Sequence, residues 1–234
     1  MRRLLLVSTS TVHGTGYLEH CAENARRLFA GCRRIGFVPY ALFDRDTYAA
    51  RAGEAFSAWG LEMVSLHTAE APAELIDRVD GLFIGGGNTF RLVRDLHTKG
   101  LVNAIRRRVA EGMPYMGTSA GSNVAAPTLC TTNDMPIVQP PSFECLDLVS
   151  FQINPHYLDP DPDSRHMGET RDQRLAEYHE ENDRPVVALR EGAMLDVDGG
   201  RMILRGATGG KLFTRDQPTR ELAPDEDLSA LLAG

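Results

Sequence analysis

The residues best suited to chemistry lie between positions 84 and 171. Gly117-Thr118-Ser119-Ala120-Gly121 fits the pattern G-x-S-x-G, in which a sharp strand-to-helix turn lifts a serine hydroxyl clear of the backbone. The flanking glycines let neighbouring chain pass without Cβ clashes. The N–H after the serine can face a developing oxyanion. Residues 114–117 read as a short apolar strand and residues 120–126 can start a helix, so the context suits the motif. A serine hydroxyl is weakly nucleophilic until a base takes its proton, and histidine is the usual base. Of seven histidines, His156 stands apart. It follows the apolar stretch 148–153 in Asn154-Pro155-His156-Tyr157, at a strand end that can aim a side chain into a cleft. His166 lies in the same loop region and stays open. A carboxylate must hold the tautomer of the imidazole. Asp134, Glu144 and Asp147 lie between the serine and the histidine. Asp134, in the polar turn 131–136, reads equally well as an Asx-turn former.

Gly85-Gly86-Gly87-Asn88 follows a strand and precedes a helix. A phosphate cradle would use such a loop, but the Walker lysine and the G-x-G-x-x-G spacing are absent. An oxyanion-donor loop facing Ser119 is the favoured reading, since the ends of parallel strands share one edge of a sheet.

The elements that must position these residues alternate. Strand patterns cover residues 4–8, 35–41, 61–66, 81–84 and 114–117. Helical spacing covers 17–34, a helix capped by Asp46 and ended by Gly60, a short helix from Pro72 to Arg78, then 89–96, 101–111 and 171–181. This order predicts a doubly wound α/β fold with a mostly parallel sheet and helices on both faces. The second half looks irregular and proline-rich, apart from a hairpin around Asp198-Gly199-Gly200. The polar tail from Pro218 is expected to be peripheral. No boundary is evident, so residues 1–234 are expected to form a single domain.

Lys+Arg is 25 against Asp+Glu 32, a net charge of −7, which disfavours a nucleic-acid partner. The 42% apolar share excludes a disordered chain. The apolar run 4–7 is cut short by Ser8, Thr9 and Ser10, which favours a buried strand over a signal peptide. No membrane span appears. Cys21, Cys32, Cys130 and Cys145 show no metal spacing. Reduced thiols and a cytoplasmic location are expected.

The stretches 117–123, 131–138, 140–143, 154–160 and 166–171 together closely resemble peptidase E, the α-aspartyl dipeptidase family of serine peptidases. The resemblance is strong over about residues 81–171, looser before and generic after. It implies a flavodoxin-like fold similar to class I glutamine amidotransferases, with serine where those enzymes carry cysteine. Carried over by motif, the nucleophile falls on Ser119, the base on His156 and the acid on Asp134. Backbone N–H groups of Gly87 and Ala120 are the expected oxyanion donors. The implied reaction is hydrolysis of dipeptides and small substrates with an N-terminal aspartate, without metal or cofactor. A substrate carboxylate needs a fixed cation, which arginine meets bidentately. Arg171 is the first candidate, with Arg165 and His166 as alternatives. The substrate ammonium calls for a carboxylate, Glu169 or Asp159. A hydrolase of the cyanophycinase type and a non-catalytic binding protein on the same fold are the alternative readings. A monomer or homodimer is expected.

Overall fold

A computed structural model describes residues 2–163, 165 and 167–233. The strand β1 (Arg3–Val7) shows how the main sheet is built. Leu4, Leu5, Leu6 and Val7 are all fully buried, because both faces of this strand are covered. Leu4 and Leu6 join one core cluster, and Leu5 and Val7 the other, as the two-residue strand period requires. The helices α1 (Ala22–Leu28) and α2 (Arg45–Ser57) cover the second face, where Phe37, Phe56 and Phe83 stack. Between them runs β2 (Arg34–Val38). The strand β3 (Glu62–Ser65) follows, then α3 (Pro72–Ile76), β4 (Gly81–Ile84), α4 (Thr89–Thr98), α5 (Leu101–Ala110), β5 (Tyr115–Thr118) and α6 (Ala120–Asn123). Leu92 and Leu96 of α4 and Ile105 and Val109 of α5 bury against the first face.

The chain then forms β6 (Gln152–Tyr157), α7 (Arg171–Glu181), β7 (Val186–Arg190), β8 (Met194–Asp198), β9 (Arg201–Arg205), β10 (Gly210–Phe213) and β11 (Arg220–Leu222). The large sheet has the order β3-β2-β4-β5-β1-β8-β9. Its first five strands are parallel, and β8 and β9 are antiparallel additions. A second sheet has the order β11-β10-β7-β6, with β6 and β7 parallel. Ile153, Val187 and Leu189 share a core cluster with Leu4 and Leu6, so both sheets contribute to one core.

The expected α/β layering and the hairpin around Gly199 are present. Several details differ. Residues 17–34 do not form one helix, since Leu18 at φ 60° breaks the start and the helix proper covers only α1. Asp44, not Asp46, caps α2, because its carboxylate accepts from the Thr47 N–H at 3.1 Å. The irregular second half contains a four-stranded sheet. The polar tail is not peripheral either. Leu222 and Leu228 are buried, and the Leu228 N–H donates to the Met202 carbonyl at 2.8 Å. The tail reads as polar because Arg220 and Glu221 of β11 face solvent.

Candidate active site

Ser119 stands between β5 and α6 at φ 53°, ψ −113°, a conformation rarely adopted by residues with a Cβ. The turn is held by close backbone packing. A Cβ on Gly121 would lie 2.1 Å from the Ile84 carbonyl oxygen, and one on Gly86 would lie 2.9 Å from Ser119 Cβ. Only glycine fits either place, and the 85–88 loop is thereby pressed against the elbow. Among the described residues, the N–H groups of Gly87 and Ala120 donate to no backbone carbonyl of the surrounding turns. The Tyr48 hydroxyl packs under the 85–88 loop, 2.2 Å from where a Cβ on Gly85 would lie, and burial pushes its pKa up.

His156 lies near the end of β6 at φ 55°, where the β6–β7 register shifts between Asn154 and Tyr157. The irregularity turns the imidazole toward β5. Its Nε2 is 2.9 Å from Ser119 Oγ. Its Nδ1 is 2.8 Å from Oε1 of Glu191, the residue directly after β7. The structure thus brings Ser119 and His156 together as expected and adds Glu191, which the sequence reading missed. Asp134 does not reach the imidazole. Its Oδ2 accepts from the Thr89 N–H and the Thr89 hydroxyl, both at 2.7 Å. The first N–H groups of a helix have no partner within it, and the 131–135 turn, joined to β6 by Asn133 donating to the Pro155 carbonyl at 2.7 Å, carries Asp134 onto the start of α4. Glu191 lies C-terminal to both serine and histidine, outside the interval that holds Asp134, Glu144 and Asp147. Glu191-Gly192 after the apolar run Val186–Leu189 was the usable signal, a carboxylate at a strand end.

The expected substrate contacts separate clearly. Arg171 opens α7 behind a Thr170–Gln173 capping box. It is half-buried, and among the described residues its Nε meets no hydrogen-bond partner. Burial and the nearby Arg174 push its pKa down, while the charge of Asp134 opposes them. Arg165 is exposed, and His166 lies outside the described residues. Glu169 is exposed and pairs with Arg174 at 3.4 Å. Asp159 is already neutralised. Arg190 grips it bidentately at 2.6 and 2.9 Å, and Lys211 stands 3.0 Å away. Lys211 also donates to the Tyr157 hydroxyl at 2.8 Å, which donates to Asp172 at 2.5 Å.

Among the described residues, no three His, Cys, Asp or Glu side chains are grouped to hold a metal, and no helix is long and apolar enough to cross a membrane.

Peptidase family S51 matches this chain over residues 4–205. The chain is 54% identical over 229 residues to a protein named "Peptidase E" from Streptomyces coelicolor, covering 98% of this chain and 94% of that one. It is 49% identical over 234 residues to a "Probable alpha-aspartyl dipeptidase" from Drosophila melanogaster, covering 99% and 98%. The solved structure of a peptidase from an acI-B1 Actinobacterium shares the fold, with a TM-score of 0.72 at 17% identity, covering 97% of this chain and 96% of that one. With the family match spanning the elbow, the histidine strand and Glu191, and with relatives alike along the whole length, this chain belongs to peptidase family S51.

Proposed function

We propose that this serine peptidase hydrolyses the bond after an N-terminal aspartate in dipeptides and small Asp-X substrates, using Ser119, His156 and Glu191. The single observation that carries this is the chain of contacts from Ser119 Oγ to His156 Nε2 and from Nδ1 to Glu191, at 2.9 and 2.8 Å. As Ser119 Oγ attacks the carbonyl carbon, His156 takes its proton at Nε2. Glu191 holds Nδ1–H and stabilises the imidazolium, remaining ionised itself. The Gly87 and Ala120 N–H groups receive the oxyanion, where loss of one donor typically costs about 3–4 kcal/mol. When the intermediate collapses, the C–N bond breaks and His156 gives its proton to the leaving amine. Water then attacks the ester carbon, His156 takes its proton, and Ser119 leaves with a proton restored.

Selectivity for aspartate follows from two opposite charges beside the elbow. Arg171 supplies the cation for the substrate side-chain carboxylate. Asp134, replaced by Glu191 in the relay, supplies the anion for the substrate ammonium. Its Oδ2 is held by Thr89, while among the described residues its Oδ1 accepts no hydrogen bond. All of these groups come from one chain, so a monomer is competent. Four unpaired thiols suit action in the cytoplasm.

The test is a rate comparison across Asp-, Glu-, Asn- and Ala-p-nitroanilides, with an aspartyl-arginine polymer alongside and Ser119→Ala as control. The Asp anilide is expected to be cut fastest, and the control to be inactive. Equal rates remove the aspartate preference, preferential cleavage of the polymer points to a cyanophycinase-type hydrolase, and an active Ser119→Ala removes the mechanism.

A further inference from the structure

Ser8 is the first of the hydroxyl residues that end the apolar run of β1. It is fully buried, and while its N–H extends the β1–β8 pairing by one step, its hydroxyl serves other segments. The His156 N–H donates to Ser8 Oγ at 2.9 Å. The Ser8 hydroxyl donates to the Leu189 carbonyl, also at 2.9 Å. The Ser8 N–H donates to the Ala193 carbonyl at 3.0 Å. Leu189 and Ala193 flank Glu191 by two residues on either side. One residue earlier, the Val7 carbonyl accepts from the Ser119 N–H at 3.0 Å and from the Ser122 hydroxyl at 2.7 Å. Two consecutive residues therefore hold the backbone at Ser119, the backbone at His156, and the chain on both sides of Glu191.

We propose that Ser8 is a positioning residue that sets the His156 imidazole against both Ser119 and Glu191. The proposal rests on reading Ser119 and His156 as the reacting pair. Its physical basis is the separation of these residues between two sheets. Ser119 belongs to the large sheet, whereas His156 and Glu191 belong to the small one. Apolar packing between sheets is non-directional and tolerates small slides. A hydroxyl that donates to β7 and accepts from β6 fixes both strands against the end of β1. His156 also holds a positive φ, a costly conformation that persists where its surroundings over-determine it, and its N–H is anchored by this hydroxyl. A displacement of about 1 Å between base and nucleophile can lower a rate about 100-fold.

The experiment uses the full chain as wild type, Ser8→Ala and Ser8→Cys. Each is measured for hydrolysis of Asp-p-nitroanilide, for thermal melting, and by proton NMR for the downfield Nδ1–H of the Glu191-bonded imidazole. Below its melting temperature, Ser8→Ala is expected to lose about 10- to 100-fold in kcat, with KM unchanged within about twofold. Its imidazole resonance is expected to shift or broaden. Ser8→Cys, with a weaker donor and acceptor of similar shape, is expected to fall between the two. A wild-type kcat in folded Ser8→Ala overturns the proposal, as does a loss of activity matched by a proportional loss of folded protein. Should Ser8→Ala fail to fold, wild-type kcat and resonance in Ser8→Cys overturn it alone. If the wild-type chain leaves the anilide uncut, the substrate reading fails, while the imidazole resonance still decides the role of Ser8.

Discussion

Ser119 rests on a sheet that is apolar wherever it meets the core, whereas His156 and Glu191 rest on one tied down by charge. In the large sheet, β1, β4 and β5 are wholly or almost wholly buried, and the elbow is fixed by backbone contacts too close for any side chain. In the small sheet, the outward face beneath the site carries Tyr157, Asp159, Asp172, Arg190 and Lys211 in one connected cluster. Tyr157 is the chain neighbour of His156, Arg190 of Glu191, and Asp172 of Arg171. Each of these chain neighbours is anchored by a hydrogen bond or ion pair within the cluster. The nucleophile is placed by shape. His156 and Glu191 are placed by hydrogen bonds, which can be edited one at a time.

The largest effect that sharpens this contrast comes from Glu191, the carboxylate on the imidazole, set against Asp134 at the start of α4. Glu191→Gln keeps the shape but loses control of the tautomer, and is expected to lower kcat by about 10³- to 10⁴-fold with little change in melting temperature. Asp134→Asn is expected to raise KM for Asp-X dipeptides by at least tenfold and to change kcat far less, since it removes an ion pair with the substrate ammonium. N-acetylated aspartyl substrates, which carry no ammonium, should show no such increase. Steady-state kinetics on both variants decides. A collapse of kcat in Asp134→Asn with Glu191→Gln near wild type would reverse the two assignments.

On the shape-defined side, the sensitive position is Gly121. An added methyl would enter 2.1 Å from the Ile84 carbonyl oxygen, so Gly121→Ala must push β4 and the elbow apart. Overpacking of this kind typically costs about 1–3 kcal/mol and sometimes more, which for a chain of this size lowers the melting temperature by several degrees. Calorimetry of Gly121→Ala against Glu191→Gln should therefore give opposite patterns. The glycine variant loses stability, and the glutamine variant loses rate.

The same division explains what could be read in advance. Residues 81–84, 101–110 and 171–181 are legible because their local pattern coincides with the element they form. The elbow was legible because strand, glycine, serine and glycine are consecutive. Glu191 was not, because its role depends on β7 lying parallel to β6, a pairing between segments about thirty residues apart that no local pattern encodes. Asp134 misled for a related reason. A carboxylate in a polar turn serves a helix start and a triad equally well by composition, and only the tertiary path of the 131–135 turn selects the former. Ser8 looked like a simple end to an apolar run, since a buried hydroxyl betrays its purpose only when its partners are known.

The smallest expected effect lies in the charged cluster itself and has a definite sign with pH. The hydrogen bonds from Arg190, with Lys211 assisting, hold the Asp159 carboxyl well below the usual carboxylate range. A carboxylate depressed in the folded state binds protons more weakly than in the unfolded chain, so stability rises with pH across the gap between the two values. The contribution is therefore present in full above the unfolded value near 3.9. It is lost as the pH falls from there toward the folded one. Asp159 is 47% exposed, so solvent screening keeps the net effect within about 1 kcal/mol. The difference in melting temperature between wild type and Asp159→Asn should be small but measurable at pH 6–7, and should close as the pH is lowered below about 4. A gap that widened on acidification would mean that the Asp159–Arg190 pair strains the small sheet, and the placement of His156 and Glu191 would then have to depend on the backbone contacts of β6 and β7 alone.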